Sequence, residues 1–170
     1  MSADDDVKKL KAACDKAYTA NLSSCSNAVW DVLKEIVNPR EPFRQANTLI
    51  DYLLANWKTV TMDEGVDLAN KGVVVVGGKK ASGHGHVVII YPGPKKPCGG
   101  YQYWYKPAKK YLFLTPKGSY ALALSTSIAA HSSLDWPGTL SCGDKTVWDP
   151  WGRDDEFAGV KFWTPKAQLP

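Results

Sequence analysis

The 170-residue chain has few cysteines and no hydrophobic run long enough to cross a membrane. Its four cysteines lie far apart, without a Cys-x-x-Cys pair, which argues against a disulfide scaffold and against a zinc ribbon. The longest apolar stretch, residues 120–130, is interrupted at residues 125–127, whereas a membrane helix needs roughly 20 apolar residues. The N-terminal sequence MSADDD is acidic and has no apolar h-region, so no cleavable signal peptide is expected. These absences favour a globular protein, and the length predicts one domain over residues 1–170.

Acidic residues are missing from the centre of the chain. Between Asp67 and Asp135 there is no aspartate or glutamate, yet the stretch contains nine lysines, at positions 71, 79, 80, 95, 96, 106, 109, 110 and 117. This asymmetry predicts either a basic face for an anionic nucleic acid, lipid or polymer, or an ordinary solvated lysine-rich surface. Arginine is scarce there, which disfavours nucleic acid because arginine makes most bidentate contacts to bases and phosphates.

Helical patterns come first along the chain, and strand patterns follow. Apolar residues at three- and four-residue spacing predict a helix over residues 7–18, a second from Cys25 until Pro39 and a third after Pro42. Thr61 and Glu64 resemble a capping box for a short fourth helix. Strands are predicted at residues 73–76, 86–90, 111–115, 120–125, 145–148 and 160–163, and the Pro/Gly-rich segment 92–100 is predicted to be a loop. This order indicates an α+β fold with a mostly antiparallel sheet.

Cys25 is placed where a thiol can be activated. It follows Ser23 and Ser24 at the predicted start of the second helix. Free N–H groups and the helix dipole favour an anion there, so we expect the thiol to ionise readily and the same N–H groups to bind an oxyanion. The alternative is a small buried residue that continues the apolar stripe of this helix.

His86 opens the predicted strand 86–90. Alternation places His86, Val88 and Ile90 on one face, so that the histidine at the strand end can meet a cysteine at a helix N-terminus. It would take the thiol proton and later give it to a leaving amine. A cysteine before a histidine, with helices before the sheet, is the chain order of papain-like enzymes.

The cysteine and histidine motifs resemble those of a known family. The Cys-Ser-Asn-Ala-Val sequence at 25–29 resembles the Cys-Ser-Gly-Phe-Val motif of NlpC-type cell-wall peptidases, and Gly85-His86-Val87 resembles their Gly-His-Val motif. More narrowly, the chain is similar to the type VI secretion amidase effectors in its Cys-to-His spacing, its third helix, residues 125–129 and the tail 147–163. Residues 93–119 look like an insertion. Ser24 and Asn27 depart from the family, which often has an acid or amide and a glycine there.

The resemblance implies a peptidoglycan amidase that acts as an antibacterial toxin. Cys25 would be the nucleophile and His86 the base, with no cofactor, no nucleic acid partner and no membrane insertion. The substrate would be a stem peptide, cut at either the γ-D-glutamyl–diaminopimelate bond or the diaminopimelate–D-alanine cross-link. It further implies delivery by the type VI machinery from the producer cytoplasm into a target periplasm, and a cognate immunity protein. The alternatives are a housekeeping wall hydrolase or acyltransferase with the same chemistry, or a non-catalytic module that binds an anionic polymer.

The third catalytic position has no carboxylate available between Asp67 and Asp135. By position the family match is Ser125, and a backbone carbonyl would serve equally, because the imidazole needs only an acceptor for its other N–H.

Four residues are candidates for contacting the substrate: Ser26, Asn27, His84 and Trp104. His84 is expected at the groove rim, and a metal site on the His84-x-His86 pair is disfavoured because no third ligand lies near it in sequence. Trp104 belongs to a run of aromatic residues and lysines that predicts stacking on a glycan or single-stranded nucleic acid, or simply a twisted hairpin. His131 is predicted to be a surface or capping residue. Cys98 and Cys142 are either a disulfide or two free thiols.

Overall fold

In the part of the chain that the structure describes, five α-helices and eight strands form the α+β architecture expected from the sequence. The computed structural model describes residues 2–126 and 136–166. The elements run α1 (Ala3–Ala20), α2 (Cys25–Ile36), α3 (Ala46–Asn56), β1 (Lys58–Val60), α4 (Met62–Ala69), β2 (Val76–Lys79), β3 (His86–Cys98), β4 (Tyr101–Tyr105), β5 (Lys110–Leu114), β6 (Lys117–Ser125), β7 (Ser141–Thr146), α5 (Asp154–Phe157) and β8 (Lys161–Thr164). No helix in the described residues is long and apolar enough to span a membrane.

The main sheet has six strands in the order β1-β8-β2-β3-β6-β7, and every neighbouring pair is antiparallel. β4 and β5 form a separate two-stranded hairpin. Helices α1, α2 and α3 cover one face of the sheet, where Val87 and Ile89 are buried with Cys25. The other face buries Val88 and Ile90 in a second cluster. The predicted alternation along β3 is therefore confirmed for residues 87–90.

Two predicted helix starts are confirmed and two are shifted. Ser24 caps α2, which begins at Cys25 as expected. α1 is longer than the predicted 7–18, since it begins after the Ser2 cap and ends at Ala20. Thr61 and Glu64 form both hydrogen bonds of the predicted capping box. The third helix begins at Ala46, four positions beyond the proline that was expected to open it.

The strand predicted at residues 73–76 is wrong in its position. β2 begins at Val76 and continues through Gly77 and Gly78, which were read as its boundary. The two glycines lie inside the strand because neighbours occupy the space of a side chain: a Cβ on Gly77 would lie 2.7 Å from the Phe162 ring, and one on Gly78 would lie 2.9 Å from the carbonyl oxygen of His86.

The Pro/Gly-rich segment 92–100 is largely strand rather than the predicted loop. β3 continues to Cys98, and its pairing with β6 shifts register between Tyr91 and Lys96 and again before Cys98. Prolines lack the N–H that a regular ladder requires, and such irregular pairing accommodates them. The strand predicted at 145–148 is also displaced, because β7 ends at Thr146.

Candidate active site

Cys25 is the first residue of α2, and its position follows from the cap before it. Ser24 has an extended backbone, and its hydroxyl accepts hydrogen bonds from the backbone N–H of Asn27 at 3.3 Å and from the Asn27 side-chain amide at 2.6 Å. These bonds satisfy a donor that the first helical turn leaves unpaired. The cap therefore fixes the start of the helix immediately before the thiol, which is buried.

Burial decides the electrostatics of this thiol. Desolvation raises the pKa of Cys25, while hydrogen bonds from the backbone N–H groups of Val87, Ser26 and Cys25 itself lower it. The N–H groups at the start of α2 therefore favour the thiolate as expected, but burial outweighs them and the net direction of the pKa is upward, so the thiol does not ionise as readily as expected. The Val87 bond also brings the sulfur to the residue directly after His86.

His86 is the first residue of β3, opposite Lys79 on β2. Its Nε2 lies 3.0 Å from the Ser125 hydroxyl, and that hydroxyl donates to the carbonyl oxygen of Thr139 at 2.7 Å. Because the hydroxyl proton is directed to Thr139, Ser125 accepts from Nε2–H, which leaves Nδ1 as the basic nitrogen. The Trp151 ring meets the imidazole edge to face, with centroids 5.3 Å apart.

Cys25 and Trp151, the ring neighbour of His86, pack on opposite sides of the sheet. Cys25 packs with Val87 on the helix-covered face, whereas the ring partner of His86, Trp151, packs with the opposite cluster. Val88 and Ile90, which were expected to share a face with His86, lie on the side of the sheet away from Cys25. That His86 itself meets the cysteine stays a prediction. His86 is the first residue of β3 and therefore lies at an end of the sheet.

A groove of about 380 Å³ lies beside Cys25. Three of the four predicted substrate-contacting residues, Ser26, Asn27 and His84, line it together. Its wall also includes the Phe43 ring, which packs edge to face on Trp30 with centroids 5.4 Å apart. The groove follows the first turn of α2, and its lining includes the residues on either side of Cys25 but neither Cys25 nor His86.

Asn47 holds one wall of the groove. Its amide donates to the Ala81 carbonyl at 2.8 Å, and its carbonyl accepts from the Ala81 N–H at 3.2 Å. Ala81 belongs to the turn between β2 and β3, which carries His84 and leads into His86. A Cβ on Gly85 would collide with the Asn47 oxygen, so the glycine permits this close approach.

The fourth candidate, Trp104, lies elsewhere. It is on β4, where its ring meets that of its cross-strand neighbour Tyr111 with centroids 5.1 Å apart, and it is not among the residues that line the groove. The predicted twisted hairpin is thus observed. His131 falls outside the described residues.

The remaining cysteines are free thiols, so the disulfide alternative for Cys98 and Cys142 is wrong. Cys98 is buried and donates to the Lys117 carbonyl at 3.0 Å, and Cys142 donates to an Asp15 carboxylate oxygen at 3.2 Å. Cys14 is buried on α1. Within residues 2–126 and 136–166, no three His, Cys, Asp or Glu side chains form a metal-binding group.

The predicted basic face is partly neutralised by acids from other parts of the sequence. Four of the nine central lysines form ion pairs with acids from outside the 67–135 stretch; the pairs are Lys79–Glu156, Lys80–Asp51, Lys95–Asp63 and Lys117–Asp154.

Sequence reasoning missed three residues of the site: Asn47, Thr139 and Trp151. Each acts through a contact between segments far apart in the chain, so local periodicity gave no signal for its role. The His86–Ser125 hydrogen bond, by contrast, connects two residues that were singled out together.

Comparison with known proteins gives one relevant similarity. No family model matches the chain. A Pseudomonas aeruginosa protein named peptidoglycan amidase Tse1 is 34% identical over 92 residues, which cover 52% of this chain and 59% of that protein. The chain thus spans somewhat less than two thirds of the relative that it matches, and the similarity is to a peptidoglycan amidase.

Proposed function

We propose that this protein is a papain-like, NlpC-type cysteine amidase that hydrolyses an amide bond in peptidoglycan stem peptides. The observations that support the proposal are two contacts at the start of β3. The Cys25 sulfur accepts the Val87 N–H, and the preceding residue, His86, is held through Nε2 by Ser125. The partial similarity to a peptidoglycan amidase supports the choice of substrate.

In the proposed reaction, His86 Nδ1 takes the proton of the Cys25 thiol as the sulfur attacks the substrate carbonyl carbon. The resulting imidazolium keeps its Nε2–H bond to Ser125. It then protonates the amide nitrogen as the C–N bond breaks, which releases an amine and leaves a thioester. Water, deprotonated by His86, attacks the thioester and restores the thiol together with a free carboxylic acid.

The raised pKa of Cys25 fits this sequence of proton transfers. A buried thiol stays protonated until a substrate carbonyl is in place, so the base is needed for the attack itself. The N–H groups of the first turn of α2, including that of Cys25, would then stabilise the oxyanion that forms on the substrate. No cofactor takes part in any of these steps.

The proposed biological role is that of an antibacterial toxin. The producer would keep the protein in its cytoplasm until the type VI machinery injects it into the periplasm of a competitor. A cognate immunity protein would protect the producer's kin by covering the groove lined by Ser26, Asn27 and His84.

Digestion of purified sacculi tests the proposal. We expect Cys25→Ala to fold and to release no muropeptides, and His86→Ala to lose roughly 10²–10⁴-fold in rate. Cys142→Ala is the matched control, because it removes another free thiol away from the groove and should retain wild-type activity. Mass spectrometry of the products identifies the bond that is cut. A Cys25→Ala protein with a tenth or more of wild-type activity would refute the mechanism.

A further inference from the structure

The β4–β5 hairpin has two faces of different character. Tyr101 and Tyr103 project from one face and pack on the Trp136 ring, with centroid distances of 6.0 Å and 4.9 Å. The base of the hairpin is also fixed by the buried Asp149 carboxylate, which accepts hydrogen bonds from the Gly99 N–H and the Tyr101 hydroxyl, both at 2.9 Å. An isolated two-stranded ribbon is marginally stable, so these contacts account for its order.

The opposite face of the hairpin carries Trp104, Tyr111 and Phe113, which we call the aromatic face. The strand register pairs Trp104 with Tyr111 and Gln102 with Phe113, so all four side chains lie on the same side. Tyr111 is 67% exposed and Phe113 is 57% exposed. The outer face of an antiparallel ribbon is normally polar. Three aromatic residues on this outer face indicate an interaction surface.

Charge narrows the class of partner. The hairpin and its flanks, residues 99–118, contain no acidic residue, and Lys109 and Lys110 at the tip form no ion pair with any described residue. Lys109 lies in the turn at the tip, and Lys110 pairs with Tyr105 and so projects from the face opposite the aromatic face. Exposed rings on a hairpin whose tip carries two lysines and no acid suit a polymer that has apolar ring faces and carboxylate groups. The absence of arginine from this segment disfavours nucleic acid.

We propose that the aromatic face binds the glycan strand of peptidoglycan, with the C–H faces of the sugar rings stacked on Tyr111 and Phe113. This inference rests on the proposed function for the choice of polymer. The hairpin is also joined to the candidate catalytic residues: Trp136 accepts a hydrogen bond from the Thr139 hydroxyl at 3.1 Å, and the Thr139 carbonyl accepts one from Ser125. A glycan held on the hairpin would thus be bound by an element that is anchored beside His86.

Co-sedimentation with purified sacculi tests this binding. The protein used is Cys25→Ala, so that the polymer is not degraded, and the comparison adds Tyr111→Ala and Phe113→Ala together. We expect the double change to weaken binding at least about tenfold. The matched control adds Leu22→Ala and Leu54→Ala, which remove two apolar side chains that are each 47% exposed elsewhere, and should leave binding within about twofold of the parent.

Further arms identify the ligand and keep the result interpretable. Glycan strands stripped of stem peptides should still bind, whereas soluble stem peptides should bind equally to both proteins. Equal sacculus binding by the parent and the double variant overturns the inference, as does an effect seen only with a single-stranded oligonucleotide. Thermal unfolding shows whether each variant is folded, and Lys109→Glu with Lys110→Glu offers a second route to weakened binding. Because no arm measures cleavage, a failure of the amidase proposal is detected separately, by the digestion assay.

Discussion

His86 Nε2 lies 3.0 Å from the Ser125 hydroxyl, and this hydroxyl donates a hydrogen bond to the Thr139 carbonyl oxygen at 2.7 Å. The relay fixes the imidazole tautomer with a neutral acceptor, because the hydroxyl is already committed as a donor to the backbone. A neutral partner orients the ring but stabilises an imidazolium less than a carboxylate would. In the proposed mechanism, Ser125 is therefore a positioning residue.

Ser125→Ala should slow peptidoglycan cleavage by no more than about tenfold. Loss of a neutral hydrogen bond costs about 0.5–1.5 kcal/mol, and roughly 1.4 kcal/mol corresponds to a tenfold change in rate. The measurement is kcat/KM across a range of pH, where a role through His86 shifts the acidic limb of the profile. Ser141→Ala is the control, since Ser141 is equally buried and bonds to the Ala123 carbonyl at 2.8 Å. A thousandfold loss in folded Ser125→Ala would mean that the hydroxyl does more than orient the ring.

Alkylation of Cys25 should accelerate continuously as the pH rises. Burial raises the pKa of this thiol, so its thiolate fraction near neutral pH is small and increases about tenfold per pH unit. We expect the iodoacetamide rate, measured by mass spectrometry of the Cys25 peptide, to follow this slope between about pH 6 and pH 8. His86→Ala should show the same slope. A wild-type rate that is already constant from about pH 5, and a slope only in His86→Ala, would instead indicate a preformed thiolate–imidazolium pair.

How far the sequence predicts this site depends on how far apart along the chain the two partners of each interaction lie. Ser24 and Cys25 are adjacent, so the helix start was readable from local capping preferences. The direction of the Cys25 pKa shift could not be predicted in this way. The burial that raises this pKa comes from the packing of α2 on the sheet, between segments far apart in the chain. Likewise, the central lysines had no acid near them in sequence, and Lys79 finds its partner in Glu156 only once β2 lies beside β8.

The strand boundaries show the same limit. Gly77 and Gly78 were not assigned to the strand, because glycine weakens a strand interior unless a close neighbour leaves no room for a side chain. Here the Phe162 ring leaves no room for a side chain at Gly77, and the His86 carbonyl leaves none at Gly78. The predicted proline-rich loop failed for a related reason, since the irregular pairing of β3 with β6 is set by both strands together.

Toxicity should depend on the compartment in which the protein is expressed. The proposed substrate lies outside the inner membrane, so cytoplasmic expression should be tolerated, and the same chain with an added periplasmic signal peptide should cause lysis. Turbidity and viable counts measure the effect, with periplasmic Cys25→Ala as the harmless control. Equal killing from both compartments would point to a cytoplasmic target instead.

Asn47→Ala should impair substrate use by loosening the turn between β2 and β3. The side chain makes two hydrogen bonds to Ala81, at 2.8 Å and 3.2 Å, and the same turn carries His84 into the groove. Losing both bonds costs about 1–2 kcal/mol at this exposed site, so we expect kcat/KM to fall by about five- to thirtyfold. The rise in KM should exceed the fall in kcat, because the groove wall is affected more directly than the attacking thiol.

Asp51→Asn is the matched control for Asn47→Ala, since it also removes a link between α3 and this turn. The Asp51–Lys80 ion pair spans 2.8 Å, but both side chains are at least half exposed, and such surface pairs contribute little. We expect kcat/KM of Asp51→Asn to stay within about twofold of wild type. If both variants lose activity equally, the position of the turn depends on all of its links to α3 together and not on the Asn47 hydrogen bonds in particular. If neither does, the turn is held by its strands alone and Asn47 has no positioning role.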